Sequence, residues 1–118
     1  MNPVIGTYVR RKRLALLEKD RRFSLRQVAM RIGIEPSYLS KVERNEKAPL
    51  SEPKILALAD ELGEDRDVLM ALSGKVRSDL QEIIIKRPQL FAQLLSSLES
   101  APDKAVLKLI KSVRDGKW

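Results

Sequence analysis

The sequence contains no cysteine and no histidine. Without cysteine there are no disulfides and no thiolate metal sites, and a reducing cytoplasm is the expected compartment. Without histidine the commonest general base and the commonest metal ligand are both missing. The five glycines, Gly6, Gly33, Gly63, Gly74 and Gly116, are scattered, and none opens a G-x-G-x-x-G or Walker-type phosphate loop. No apolar run approaches the roughly 20 residues that span a bilayer, and the N-terminus lacks the apolar core of a signal peptide. Carboxylates are plentiful, but they are mixed with lysine and arginine along helical polar faces, as on a solvated surface. No enzyme, metal, cofactor or membrane contact is expected.

What is present is charge of one sign in one place. Residues 1–44 hold eleven Lys and Arg against four Asp and Glu, a balance of +7, while residues 45–118 hold twelve of each. The whole net charge of +7 therefore sits in the first third of the chain. That is the electrostatic footprint a polyanion would require. A composition 43% hydrophobic and 33% charged fits a helix-rich globular chain and argues against global disorder. At 118 residues the chain has room for one domain, or for a small domain with an appended helical module.

Helical periodicity dominates and no strand alternation stands out, so an all-α fold is expected. A first helix is predicted from about Val4 to Lys19, with Ile5, Val9, Leu14, Leu17 and Tyr8 as its apolar stripe and Arg10, Arg11, Lys12 and Arg13 on its polar face. Residues 19–22 read as an exposed connection. Ser24 suits the N-cap of a second helix, Leu25 to Ile32, with Gln27 at N3 to complete a capping box. Gly33 falls where a helix ends with positive φ. Pro36 suits the first position of a third helix that runs to about Glu43. Residues 44–50 form a polar loop ended by Pro49. Ser51 caps a fourth helix to Leu62, closed by Gly63, and Asp65 caps a fifth through Leu72. A module boundary is expected at Gly74-Lys75, giving units 1–74 and 75–118. Three further helices follow over 79–86, 88–98 and 102–115, the first with a Ser78/Gln81 capping box and the others opened by Pro88 and Pro102.

Two helices joined by a tight glycine turn make a DNA-reading unit when they cross closely. Here Ala29 lies at the crossing, and Val28, Ile32, Ile34, Leu39 and Val42 form the seam between the helices. Pro36, Ser37, Ser40, Lys41 and Arg44 are left pointing outward, short and polar first and basic further on. Such a face suits a helix entering the major groove by its N-terminus. Ser24-Leu-Arg-Gln-Val-Ala, Ile32-Gly-Ile, Pro36-Ser-Tyr-Leu-Ser-Lys-Val-Glu-Arg-Asn and Pro49-Leu-Ser-Glu-Pro-Lys-Ile-Leu-Ala-Leu-Ala-Asp-Glu-Leu-Gly63 together resemble the lambda-repressor-like, Xre-type helix-turn-helix family of bacteria and phage. The resemblance covers residues 4–74. It implies a five-helix DNA-binding domain in which Glu35, Pro36, Ser37 and Lys41 face base edges, flanked by Tyr38 and Ser40. It further implies that Ser24, Arg26 and Gln27 at the start of the second helix, with Arg44, Asn45 and Lys47 after the third, clamp phosphates.

Two departures from the family pattern matter. Leu25 stands where the family often has Gln, and it cannot donate to a phosphate. The connection between the first two helices is about one turn longer than usual, which unsettles the assignment of individual arginines among Arg10 to Arg13. Glu35 has two readings that stay open: acceptor for a cytosine amino group, or N-cap of the third helix. The family domain does not account for residues 75–118. Their adjacent aliphatic pairs, Leu94-Leu95 and Leu109-Ile110, make apolar faces wide enough for a second copy, with Trp118 lying on that face or fraying. The leading expectation is a transcriptional repressor acting as a homodimer on an inverted-repeat operator. The rival is an antitoxin or anti-regulator whose C-terminal helices bind a protein partner while DNA binding serves autoregulation.

Overall fold

A computed structural model describes residues 5–46 and 50–116. Val4, Lys47, Pro49 and Trp118, each given a role by the sequence reading, lie outside the described residues. Eight α-helices and one 3-10 turn make up the described residues, with no strand among them. In chain order they are α1 (Ile5–Leu17), the 3-10 turn (Arg21–Phe23), α2 (Leu25–Ile32), α3 (Pro36–Glu43), α4 (Glu52–Leu62), α5 (Arg66–Leu72), α6 (Ser78–Lys86), α7 (Pro88–Leu98) and α8 (Asp103–Asp115). The fold is all-α.

Caps account for most of the boundaries. The Ser24 side chain accepts from the Gln27 amide at 3.3 Å, as expected of an N-cap. The reciprocal half of the box is displaced, because the Ser24 amide donates to Arg21 O at 3.2 Å and closes the 3-10 turn. The stretch read as an exposed connection is thus an ordered turn, itself capped by Asp20, which accepts from the Arg22 amide at 2.9 Å. Asp65 caps α5 by accepting from the amides of Asp67 and Val68. Ser51 and Glu35 hold N-cap positions without a side-chain cap bond. Ser78 is the first residue of α6 rather than its cap, and Pro102 is the N-cap of α8.

The chain forms two compact units, residues 1–77 and 78–118. In the first, Val9, Val28, Ala29, Leu39, Ile55, Leu58, Ala59 and Leu69 are wholly buried, and α1 to α5 pack around them. The unit runs past the expected boundary: the Lys75 side chain donates to Leu50 O at 3.1 Å and Arg77 pairs with Asp67 at 3.0 Å. On α1 the inward line is Ile5, Val9, Arg13 and Leu16, whereas Leu14 is 40% exposed. From Ile5 and Val9 a 3.6-residue repeat leads to position 13 and then 16. The expected stripe through Leu14 and Leu17 arose by stepping around the charge at Arg13.

In the second unit α6 and α7 pack on each other. Leu80, Ile84, Phe91, Leu94, Leu98 and Val106 are half-buried, and no described residue of this unit is fully buried.

Candidate nucleic-acid interface

The site is built from the crossing of α2 and α3. Val28, Ala29 and Ile32 of α2 meet Leu39 and Val42 of α3 in the core, with Ile34 half-buried beside them. Gly33 makes the turn at φ 77°, in the left-handed region that glycine enters without steric cost. Across it the Ile34 amide donates to Ala29 O at 3.0 Å, a helix-closing bond of the Schellman kind. Lys54 of α4 then donates to Ile32 O at 2.9 Å, placing a cation at the carbonyl end of α2. A Cβ on Gly33 would come within 2.9 Å of that ammonium. The sequence reading passed over Lys54, since nothing local to α4 marks it.

This seam decides which way α3 faces. Leu39, Val42 and Glu43 point inward, while Ser37, Lys41 and Arg44 are exposed and Ser40 half-exposed on the opposite side. Positions 37, 40, 41 and 44 share one helical face. Glu35 sits at the N-cap in extended conformation, its carbonyl taking the amides of Tyr38 and Leu39 at 3.0 and 3.1 Å. Its carboxylate is exposed and makes no cap bond, so the capping role open in the sequence is filled by the backbone alone. Pro36 and Tyr38 are half-buried, and Tyr38 packs against the core.

The surroundings hold cations in two states. Arg26 and Lys41 are exposed and form no ion pair among the described residues. Arg44 is engaged: its guanidinium pairs with Glu46 and donates to Ser40 Oγ. That hydrogen bond holds the Glu46 carboxyl below its usual range, and the positive charges of Arg44 and Lys41 act in the same direction. Glu46 was not anticipated; only the fold brings it back onto α3. Arg26, Met30, Gly33, Ile34, Glu35 and Pro36 line a shallow groove across the turn, with Met30 69% exposed in it.

Asn45 and the arginines of α1 are placed differently from one another. Asn45 lies at φ 59°, a left-handed conformation that asparagine tolerates. Its Oδ1 accepts from the Gly6 amide and its Nδ2 donates to Thr7 Oγ1, both at 3.1 Å, so its side chain tethers the start of α1. Gly6 is required there: a Cβ would collide with Val42 O and Asn45 Oδ1. Arg13 is 5% exposed, not on the polar face where the sequence reading put it. It donates to Glu43 through Nε and Nη2 and to Phe23 O through Nη1. Arg11 and Lys12 stand over the Tyr8 ring at 5.4 and 5.5 Å. Arg31 is spoken for as well, bonded to Glu61 and to Arg22 O.

A family model described as a helix-turn-helix domain matches residues 6–72. The chain belongs to this helix-turn-helix family. The match spans α1 through the last residue of α5 and leaves α6 to α8 outside it. No curated protein and no solved structure matches the chain. The helix-turn-helix domain is a DNA-binding domain, and the protein is accordingly a DNA-binding transcriptional regulator. Among the described residues no helix is long and apolar enough to cross a membrane.

Proposed function

We propose that this regulator is a sequence-specific repressor that acts as a homodimer on an inverted-repeat operator. The observation that carries the reading is the outward face of α3, where Ser37 and Lys41 stand exposed while Leu39, Val42 and Glu43 anchor the helix from behind. Inserted N-terminus first, that face brings Glu35, Pro36 and Ser37 to base edges, then Lys41 one turn later, with Tyr38 and Ser40 at the flanks. Ser24, Arg26 and Gln27 approach one phosphate strand at the positive end of α2. Arg44, Asn45 and Lys47 approach it after α3. In this division Asn45 acts through its backbone, since its side chain holds α1.

The second unit supplies the dimer. Ile83, Ile85, Leu90, Leu95, Leu107, Ile110 and Val113 are each at least half exposed there, a concentration of apolar surface that marks an association site. A protein that occupies duplex DNA with one unit and pairs with the other acts most simply by excluding competitors from the site, hence repression. Selection of bound sequences from random duplex DNA, followed by a reporter driven through the selected site, tests the whole reading. An inverted repeat whose occupancy lowers transcription is the expected result. Recovery of no consensus, or activation of the reporter, would overturn it.

A further inference from the structure

The three helices of the second unit differ sharply in charge. α6 carries Asp79, Glu82 and Lys86, and α8 carries Lys104, Lys108, Lys111 and Arg114 against Asp103 and Asp115. α7, eleven residues long, carries no charge at all. Its apolar positions Leu90, Leu94, Leu98, Phe91 and Leu95 fan across about 140° of the helix at 100° per residue. Packing within the chain half-covers the middle of that fan, at Phe91, Leu94 and Leu98. The two edges stay bare, with Leu90 62% and Leu95 60% exposed. The remaining face holds Gln89, Ala92, Gln93, Ser96 and Ser97, small or neutral side chains throughout.

We infer that α7 is the centre of the self-association surface and packs against α7 of a second copy across the two-fold axis. This rests on the homodimer reading above and names the element that makes it. Interface centres are depleted of charge, and α7 is the helix here that meets this condition along its whole length. A two-fold contact also places each patch against its own image. Any helix with a net charge then opposes like charge, and that is repulsive. Two copies of α8 meeting at the axis would set Lys104, Lys108, Lys111 and Arg114 against the same four cations. Two copies of α7 oppose nothing but leucine, phenylalanine and neutral polar groups. The apolar edges at Leu90 and Leu95 fall on either side of the half-buried middle, where a second helix laid along α7 would cover both. α6 and α8 then flank the contact, one with its acidic first turn and the other with its basic face.

The absence of native cysteine makes the test clean. In the full chain, Leu90→Cys and Leu95→Cys are made singly, with Leu107→Cys on α8 as the comparison. Under mild oxidation the α7 variants should cross-link to covalent dimers faster and more completely than the α8 variant. Leu95→Lys should weaken the dimer by about tenfold or more in sedimentation, more than Leu107→Lys does, since it buries a charge at the axis. Circular dichroism establishes that each variant keeps its helices, and the cross-linking pair carries the test if Leu95→Lys unfolds. Faster cross-linking through α8, or a larger loss from Leu107→Lys, overturns the α7 assignment while leaving a dimer in place. A monomeric wild-type chain at micromolar concentration overturns the homodimer reading itself, and the protein-partner reading then takes its place.

Discussion

Arg13 on α1 and Glu43 on α3 form a buried, two-pronged ion pair, with Nε to Oε2 at 2.6 Å and Nη2 to Oε1 at 2.8 Å. The two groups are 5% and 4% exposed. The third guanidinium nitrogen reaches Phe23 O, so one side chain joins α1, the 3-10 turn and the C-terminal end of α3. The pair sits directly behind the outward face of α3, where its geometry sets how far that helix projects.

Removing one member leaves the other as an unpaired buried charge. Arg13→Met or Glu43→Leu alone should therefore destabilise the first unit by about 3–5 kcal/mol. The double variant should lose less than either single change, because two apolar side chains leave no orphaned charge. Urea unfolding of the three variants checks this. Single changes costing under about 1 kcal/mol would place the pair among surface bridges of little weight.

Much of this was readable from the sequence, and what was not has a common cause. The seam of Val28, Ala29, Ile32, Leu39 and Val42 was legible because a 3.6-residue repeat registers burial locally. Gly33 and Pro36 were legible for a similar reason, since turn and first-position preferences belong to the residue itself. Arg13 was not, because a charge on an inward line makes sense only with Glu43, thirty residues away. Gly6 was passed over for the same kind of reason: its need is set by Val42 O and Asn45 Oδ1, which only the tertiary fold brings near. Asn45 and Arg44 were read as free to meet phosphates, yet each already holds partners that the chain supplies at a distance or across a turn.

Arg44 and Glu46 give a prediction about affinity. Glu46 pairs with Arg44, and the positive charge of Lys41 acts on it too, so it neutralises part of the surface offered to phosphates. Its depressed pKa keeps it charged at neutral pH; the ion pair is present above the ordinary carboxylate range and is lost as pH falls through the lowered value. Glu46→Gln should tighten binding to every duplex, whatever its sequence. Wild-type binding should fall with salt at a slope of about −0.9 in log K per log[salt] for each phosphate contacted. Glu46→Gln should steepen that slope. An affinity unchanged by the substitution would mean that Arg44 stays clear of the backbone in the complex.

Reading and clamping should separate by mutation. Lys41→Ala or Ser37→Ala on the outward face of α3 should relax preference at one base position, by about 1–3 kcal/mol for a good base contact. Arg26→Ala at the start of α2 should weaken all sequences alike and leave the consensus as it was. Selection from random duplexes with each variant distinguishes these outcomes. A consensus that survives Lys41→Ala intact would assign that lysine to the backbone and shift base reading toward Glu35 and Ser37.

Dimerisation through the second unit makes a prediction about DNA geometry. A two-fold pair presents two α3 helices to one side of the duplex, about 34–36 Å apart, one helical turn. The preferred site should be an inverted repeat whose half-site centres lie about 10 base pairs apart, or a multiple of that. Deleting residues 78–118 rather than 75–118 keeps the Lys75 bond to Leu50 O and the Arg77–Asp67 pair, and so leaves the first unit with its own contacts. That truncation should keep the helicity of α1 to α5 and still bind a single half-site. On the full inverted repeat it should bind far more weakly, since the second half-site no longer gains from the high effective concentration of a tethered partner. Sedimentation and titration of both proteins on repeats of varied spacing make the comparison. Equal affinity of the two proteins for the full repeat would show that residues 78–118 contribute nothing to pairing on DNA, and the function of that unit would then have to be sought in another protein.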